Sequence, residues 1–384
     1  MARLLRFAAT PDDYRQLAKR RLPRFLFDYI DGGAGDELTL TANQRDFNQW
    51  RLRQRVLCDV SQRDTRCQLF GETLSLPVVL APLGMAGLYA CRGEVQAARA
   101  AKTAGVPFCL SSVGICGYAE VSQNSEKPCW FQLYMLRDRG LVSELLERVW
   151  AQGCRTLLFT IDLPVAGARH RDQRNGLLDQ GLAGKLSKAW QLLQCPQWLY
   201  SVGVRGKPHH FANLHQHSGV PSDIHRFKQW LDEQFDPSVT WSDIAWLRQQ
   251  WPGTLILKGL LDQQDVAPAC DSGADALVIS NHGGRQLDGA ASSISQLPLI
   301  SQAIDGRMPL LIDGGVRSGS DILKACALGA TAVLAGRPWA WALAAGGQAG
   351  VEQWLRHWQN ELSLSMALCG IRQLSQARDT LMPA

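Results

Sequence analysis

The segment VISNHGGRQLDG, Val278 to Gly289, begins as an apolar strand and turns abruptly polar at Asn281-His282-Gly283-Gly284-Arg285. A histidine that is neutral near pH 7 is the usual general base, contributing about 10²- to 10⁴-fold when it lies against the proton it removes. Arg285 can hold a carboxylate through two parallel hydrogen bonds. Arg169, in PVAGARHRDQRN, is a second candidate of the same kind, and two such arginines favour a small carboxylic acid as substrate. Asp162, at the end of TLLFTID, is positioned in the sequence to stabilise an imidazolium once His282 takes a proton. The competing reading of His282 is a turn residue bonded only to backbone.

Two further stretches, IDGGVRSGSD and LAGRP, set glycines beside an arginine. Adjacent glycines let backbone N–H groups approach an anion, a following helix N-terminus adds partial positive charge, and guanidinium groups add charged donors. Gly314, Gly315, Arg317, Gly336 and Arg337 therefore read as a phosphate site. The alternative is a pair of tight turns with surface arginines.

Eight short apolar runs must position these residues: PVVLAP (77–82), PFCLSS (107–112), CWFQLY (129–134), TLLFTID (156–162), TLILKG (254–259), ALVIS (276–280), PLLIDGG (309–315) and AVLAGR (332–337). Most are followed by amphipathic helical patterns that end in glycine, such as GEVQAARAAKTAG. Continuous apolar strands alternating with helices predict a parallel sheet covered by helices, and eight units over roughly 250 residues predict an α/β fold of the TIM (β/α)8 type. A doubly wound sheet would carry GxGxxG after its first strand, and APLGMAG does not supply it. TIM barrels build their sites at the C-terminal ends of the strands. Here those ends are Gly84, Ser111-Ser112, Gln132 and Tyr134, Thr160 and Asp162, Lys258, Ser280 and His282, Asp313 to Arg317, and Gly336-Arg337. The chain thus reads as one domain, residues 1–384. Residues 1–75 form a helical N-terminal extension with helices at DDYRQLAKRRL and PRFLFDYI, the barrel occupies 76–375, and an insertion after strand four spans 170–238.

Composition narrows the function. The 384 residues are 46% hydrophobic with a net charge of +5, and Lys and Arg are scattered among carboxylates, which argues against a nucleic-acid partner. Eleven cysteines without a CxxC pair predict reduced thiols and no zinc site or other metal centre. Arg6 and Asp12-Asp13 interrupt the N-terminal apolar residues, so a secretory signal is not expected. Nor does an apolar run approach the eighteen or so residues of a membrane span. The expected location is cytoplasmic, with any membrane contact peripheral, on the cytoplasmic face of the inner membrane.

Taken together, SNHGGRQLDG, DGGVRSG, FQLY, LPRFLFDYIDGGAGDE and the KG after strand five resemble the FMN-dependent L-2-hydroxy-acid oxidases and dehydrogenases, from about Tyr14 to Ser375. Within that family the insertion, with GARHRDQRNG and CPQWLYSVGVRGKPH, most resembles the bacterial membrane-associated L-lactate dehydrogenases. The resemblance implies oxidation of an L-2-hydroxy acid, most simply L-lactate to pyruvate, with electrons passed to a quinone or similar acceptor, and a tetrameric assembly. It implies His282 as the base, Asp162 as its charge partner, Tyr134 on the substrate oxygen, and Tyr29, Arg169 and Arg285 on the carboxylate. For FMN it implies Ala81, Pro82, Leu83 and Gly84 with Ser111, Gln132 and Thr160 around the ring, and Lys258 near the atoms where charge collects on reduction. Ser280 and Asp313 would lie on the ribityl side, with Gly314, Gly315, Arg317, Gly336 and Arg337 on the phosphate.

Three departures bear on substrate and acceptor. Gly84 stands where many oxidases of the family have alanine, which leans toward a dehydrogenase, and Val113 replaces a tryptophan of the plant glycolate oxidases. His170 takes a place where the lactate enzymes often have tyrosine, which keeps mandelate or another aryl hydroxy acid open as substrate; mandelate dehydrogenase and an O2-using 2-hydroxy-acid oxidase are the alternatives within the family. The segment LAGKLSKAWQLLQCPQWLYSVGVRGKP mixes basic residues with Trp, Leu and Tyr, as an interfacial membrane segment does; the other reading is an ordered lid. A non-redox phosphosugar enzyme on the same barrel is the distant alternative. Hydride and carbanion routes need the same residues, and the sequence does not choose between them.

Overall fold

Each apolar run forms a strand at its expected place in a computed structural model that describes residues 5–176, 181–215, 230–231 and 233–382. After a hairpin, β1 (Cys67–Leu69) and β2 (Glu72–Leu74), come the eight parallel strands β3 (Val78–Leu80), β4 (Cys109–Ser111), β5 (Trp130–Tyr134), β6 (Thr156–Thr160), β7 (Thr254–Leu260), β8 (Ala276–Ile279), β9 (Leu310–Ile312) and β10 (Ala332–Ala335). Hydrogen bonding runs β3-β10-β9-β8-β7-β6-β5-β4, and a parallel bridge between Leu80 and Phe108 brings the two ends together. The architecture is a TIM barrel.

Alternation along the strands divides the core in two. Val79, Cys109, Leu158, Ile256, Ala276, Val278, Leu311, Ala332 and Leu334 form one buried cluster inside the barrel. Their neighbours Val78, Leu80, Leu157, Leu257, Leu277, Ile312 and Val333 belong to the larger cluster under the helices. The interior cluster also holds Leu69 and Leu74, so the hairpin closes the end of the barrel opposite the strand C-termini. The helical reading of the first 75 residues does not include this hairpin. Its three-residue strands are too short to carry a periodic signal against the polar residues around them.

The N-terminal extension is built from local signals. Helix Pro11–Arg21 starts on a capping box between Thr10 and Asp13 and stops before Pro23. Helix Arg24–Asp31 buries Leu26, Phe27 and Ile30, and helix Leu38–Arg45 follows. The long helical segment Arg337–Leu368 bends at Gly347, whose φ of 62° and ψ of −146° are not helical.

Within the insertion, helix Leu182–Leu193 is held by Gln191, whose Oε1 accepts from Phe25 N at 2.9 Å and whose Nε2 donates to Asn175 O at 3.1 Å. Residues 177–180, 216–229 and 232 of the insertion lie outside the described residues. Among the described residues no helix is long and apolar enough to cross a membrane.

Candidate active site

A cleft opens at the C-terminal ends of the barrel strands. The C-terminal ends of all eight barrel strands, or the loops after them, reach it, with Val113 coming from the loop after β4, and helix Arg24–Asp31 closes one side with Tyr29 and Ile30.

His282 stands just beyond β8 with φ +58°, a left-handed conformation that a side chain other than glycine seldom adopts. Its backbone N donates to Ser280 Oγ at 3.0 Å, and its ring Nδ1 lies 2.8 Å from Asp162 Oδ1. With Nδ1 occupied, Nε2 is the nitrogen left for substrate. Burial lowers the His282 pKa below the ordinary 6.5, against the pull of Asp162. Burial opposes ionisation of Asp162, but the attraction of His282 and Lys258 wins and holds its carboxyl below the usual range. A neutral imidazole beside a carboxylate is a base ready to accept a proton. Room for Asp162 comes from a bulge in β7: the register slips between Lys258 and Leu260, and a Cβ on Gly259 would sit 2.6 Å from Asp162 Cβ.

Lys258 Nζ donates to Ser280 Oγ and pairs with Asp313 Oδ2, each at 3.0 Å. Burial alone would lower its pKa, but the facing Asp313 and Asp162 reverse the shift, so the ammonium stays charged. Behind the strand ends, Ser111 Oγ donates to Gln132 Oε1 at 2.8 Å and Gln132 Nε2 donates to Thr160 Oγ1 at 3.0 Å. This chain crosses β4, β5 and β6 and presents Thr160 to the cleft. Tyr134, the last residue of β5, also lines it, and burial pushes its phenol up to about 12.

Four arginines converge on the cleft, and among the described residues none of them has a carboxylate within ion-pair distance. Arg285 and Arg169 both lie over the Tyr29 ring, with guanidinium carbons 4.8 and 5.8 Å from its centre. Arg285 Nη1 donates to the carbonyls of Tyr29 and Gly32 at 2.6 and 3.0 Å. Arg337 donates to the carbonyls of Ile30, Gly283 and Gly32 at 2.8–3.0 Å. Burial, then repulsion from its neighbours, lowers the pKa of Arg285 and of Arg337, and burial pushes Arg317 down to about 10. Buried cations crowded in this way call for bound anions. At β9 the turn Gly314-Gly315 has φ of 85° and 92°, and a Cβ on Gly315 would fall 1.8 Å from Asn43 O. No side chain fits there, and both glycines line the cleft, the setting in which successive backbone N–H groups can meet an anion.

Most of the residues singled out in the sequence line this cleft directly: Tyr29, Ala81, Pro82, Leu83, Gly84, Tyr134, Thr160, Arg169, Lys258, His282, Arg285, Asp313, Gly314, Gly315, Arg317, Gly336 and Arg337. Ser111, Gln132, Ser280 and Asp162 stand one layer behind, bonded to those that do. The sequence reading did not single out Ile30 or Tyr89 for the lining, nor Val316 and Leu334. Tyr89 donates to Gly84 O at 3.1 Å and so holds the loop after β3, a task for which its surroundings GLYA carry no signal.

A cleft that combines a glycine turn closed to side chains, arginines without carboxylate partners, a buried lysine and the unpartnered buried Asp313 Oδ1 suits a phosphorylated, hydrogen-bonding cofactor. A sequence profile of FMN-dependent dehydrogenases matches residues 18–383. The chain belongs to that family. The enzyme is 52% identical over 364 residues to an L-lactate dehydrogenase of Caulobacter sp. (strain K31), covering 95% of each chain. It is 50% identical over 373 residues to an L-lactate dehydrogenase of Caulobacter vibrioides, covering 96% of each. Among solved structures it resembles a monotopic membrane protein, (S)-mandelate dehydrogenase, with 34% identity, a TM-score of 0.92, and coverage of 98% of this chain and 100% of that one. A mandelate oxidase matches with 35% identity, a TM-score of 0.82 and 98% of each chain covered. The enzyme is an FMN-dependent 2-hydroxy-acid oxidoreductase.

Proposed function

We propose that the enzyme oxidises L-lactate to pyruvate and passes the electrons to a membrane quinone. The observation that carries the reaction class is the convergence of His282, paired with Asp162, and of Arg169 and Arg285 on one cleft lined by Tyr29 and Tyr134. The choice of lactate rests on the two Caulobacter relatives.

Arg169 and Arg285 bind the substrate carboxylate, and Tyr29 holds both guanidinium groups in place through its ring face. The Tyr134 phenol, kept protonated by burial, hydrogen-bonds the oxygen on C2. His282 Nε2 takes the proton released from the substrate, and Asp162 stabilises the imidazolium. A bound FMN would supply the acceptor for the electron pair removed from C2. Lys258 would offer fixed positive charge to the flavin as it gains negative charge, and the arginines and glycines after β9 and β10 would hold its phosphate.

His282→Ala is expected to leave a yellow, FMN-loaded protein that L-lactate does not bleach under anaerobic conditions. Rapid bleaching of that variant would remove His282 from its role. Adding (S)-mandelate to the unaltered enzyme tests the second reading, which the likeness to the (S)-mandelate dehydrogenase favours. Faster bleaching by mandelate than by lactate would exchange the substrates.

The membrane part of the proposal rests on helix Leu182–Leu193. Leu182, Leu186, Trp190 and Leu193 follow helical spacing along one face and are 63–75% exposed, and Tyr200 and Val204 continue the exposed apolar surface. Lys185, Lys188, Arg205 and Lys207 accompany them, with no acidic residue from 181 to 208. An apolar stripe beside basic residues suits a bilayer interface carrying anionic lipid.

A further inference from the structure

We infer that Asn43, which lies in the N-terminal extension and outside the barrel, is a positioning residue that couples the turn cradling the FMN phosphate to the turn carrying His282. The inference rests on the cofactor and base assignments of the proposed function.

The Asn43 side chain is buried and meets that of Asn281, the residue before His282. The two amides bond head to tail: Asn43 Nδ2 donates to Asn281 Oδ1 at 2.9 Å, and Asn281 Nδ2 donates to Asn43 Oδ1 at 2.8 Å. Each amide is oriented by a further partner. Asn281 Oδ1 accepts from Gly284 N at 3.1 Å and Asn281 Nδ2 donates to Ala291 O at 2.9 Å, while Asn43 Oδ1 accepts from Ser293 N at 3.3 Å. These bonds bracket His282 on both sides and brace its left-handed backbone conformation.

Asn43 also bounds the second turn. A Cβ on Gly315 would lie 1.8 Å from Asn43 O, and one on Gly314 would lie 3.3 Å from the Asn43 side-chain amide. The backbone of the Gly314-Gly315 turn is therefore stacked directly on this asparagine. The two turns follow neighbouring strands, β8 and β9, and one residue of the helix Leu38–Arg45 touches both.

Asn43 is not the sole anchor of this helix. Asp288 accepts from the backbone N of Asp36 and of Thr39 at 2.9 Å each, and Thr39 Oγ1 donates to Ala290 O at 3.1 Å. Thr39→Val is accordingly a control that weakens docking while leaving the asparagine pair in place.

The test compares Asn43→Ala, Asn281→Ala and Thr39→Val in the full chain. FMN affinity is read by fluorescence titration of the apoprotein. The rate of anaerobic bleaching by saturating L-lactate is expressed per bound flavin, and melting temperature is recorded alongside. Losing buried hydrogen bonds that orient a site is expected to weaken FMN binding of Asn43→Ala about tenfold and slow its bleaching about tenfold. The half-saturating lactate concentration should stay within about twofold, because the carboxylate-binding arginines are untouched. Asn281→Ala should slow bleaching to a similar degree, and Thr39→Val should lower only the melting temperature. Asn43→Ala that melts early yet binds FMN and bleaches like the unaltered enzyme would overturn the inference. If Asn43→Ala does not fold, Asn43→Ser and Asn281→Ala decide it by the same measurements. An unaltered enzyme that binds FMN but is bleached by no 2-hydroxy acid would defeat the proposed function instead, and the FMN titration would still decide for or against Asn43.

Discussion

His282 and Asp162 act on each other in opposite senses, and the balance sets a pH dependence. Burial lowers the imidazole below 6.5 while Asp162 raises it. A base works deprotonated, so kcat/KM for flavin reduction should be flat above that pKa and fall about tenfold per pH unit below it. Asp162→Asn removes the raising influence. Its acid limb should move to lower pH, and its plateau should drop on the order of 10²-fold because nothing then stabilises the imidazolium. Anaerobic bleaching rates followed from pH 5 upward check both shifts, and an acid limb moved to higher pH would contradict the pairing. Lys258 carries a different burden. Lys258→Met leaves Asp313 buried without its partner, and breaking a buried pair in this way costs about 3–5 kcal/mol, measurable by urea unfolding.

At the scale of elements, the turn after β9 and the insertion helix depend on opposite features. The turn depends on the absence of side chains. Gly315→Ala forces a Cβ into the Asn43 carbonyl, and it should yield a folded protein that loses FMN on gel filtration. The insertion helix depends on side chains that the barrel does not cover. Leu186→Glu combined with Trp190→Glu places two carboxylates on the exposed stripe, and neither residue lines the cleft. Co-sedimentation with vesicles containing anionic lipid should be lost while bleaching by L-lactate is unchanged. Retained co-sedimentation would assign the stripe to something other than a lipid surface.

For the molecule as a whole, the cleft gathers arginines whose charges burial and mutual repulsion disfavour, so an anion bound among them offsets that cost and favours the folded state. A ligand that binds only the folded state stabilises it by about 2.7 kcal/mol at a hundred times its Kd. The melting temperature should therefore climb with FMN concentration, and inorganic phosphate alone should reproduce part of the rise. A melting temperature indifferent to FMN would mean that the cofactor contributes nothing to closing the site.

The eight strands and their polar ends were legible because each is a local pattern: a buried strand needs a short apolar run, and the fold puts chemistry where that run stops. The glycines after β9 were legible for the same reason, since a turn closed to side chains admits few other residues. The hairpin at the barrel floor and Asn43 were not, because a three-residue strand and a lone polar residue in a helix look like surface until something packs on them. The chain by itself thus determined which residues could do chemistry and the barrel that presents them. Tertiary structure alone decided that Ser111, Gln132 and Ser280 support the cleft from behind and that Asn43 joins two turns, and it fixed the expected partners His282 and Asp162 at 2.8 Å across 120 positions. Hydrogen bonds made across the fold depend on distances between elements, and no local spacing encodes those distances.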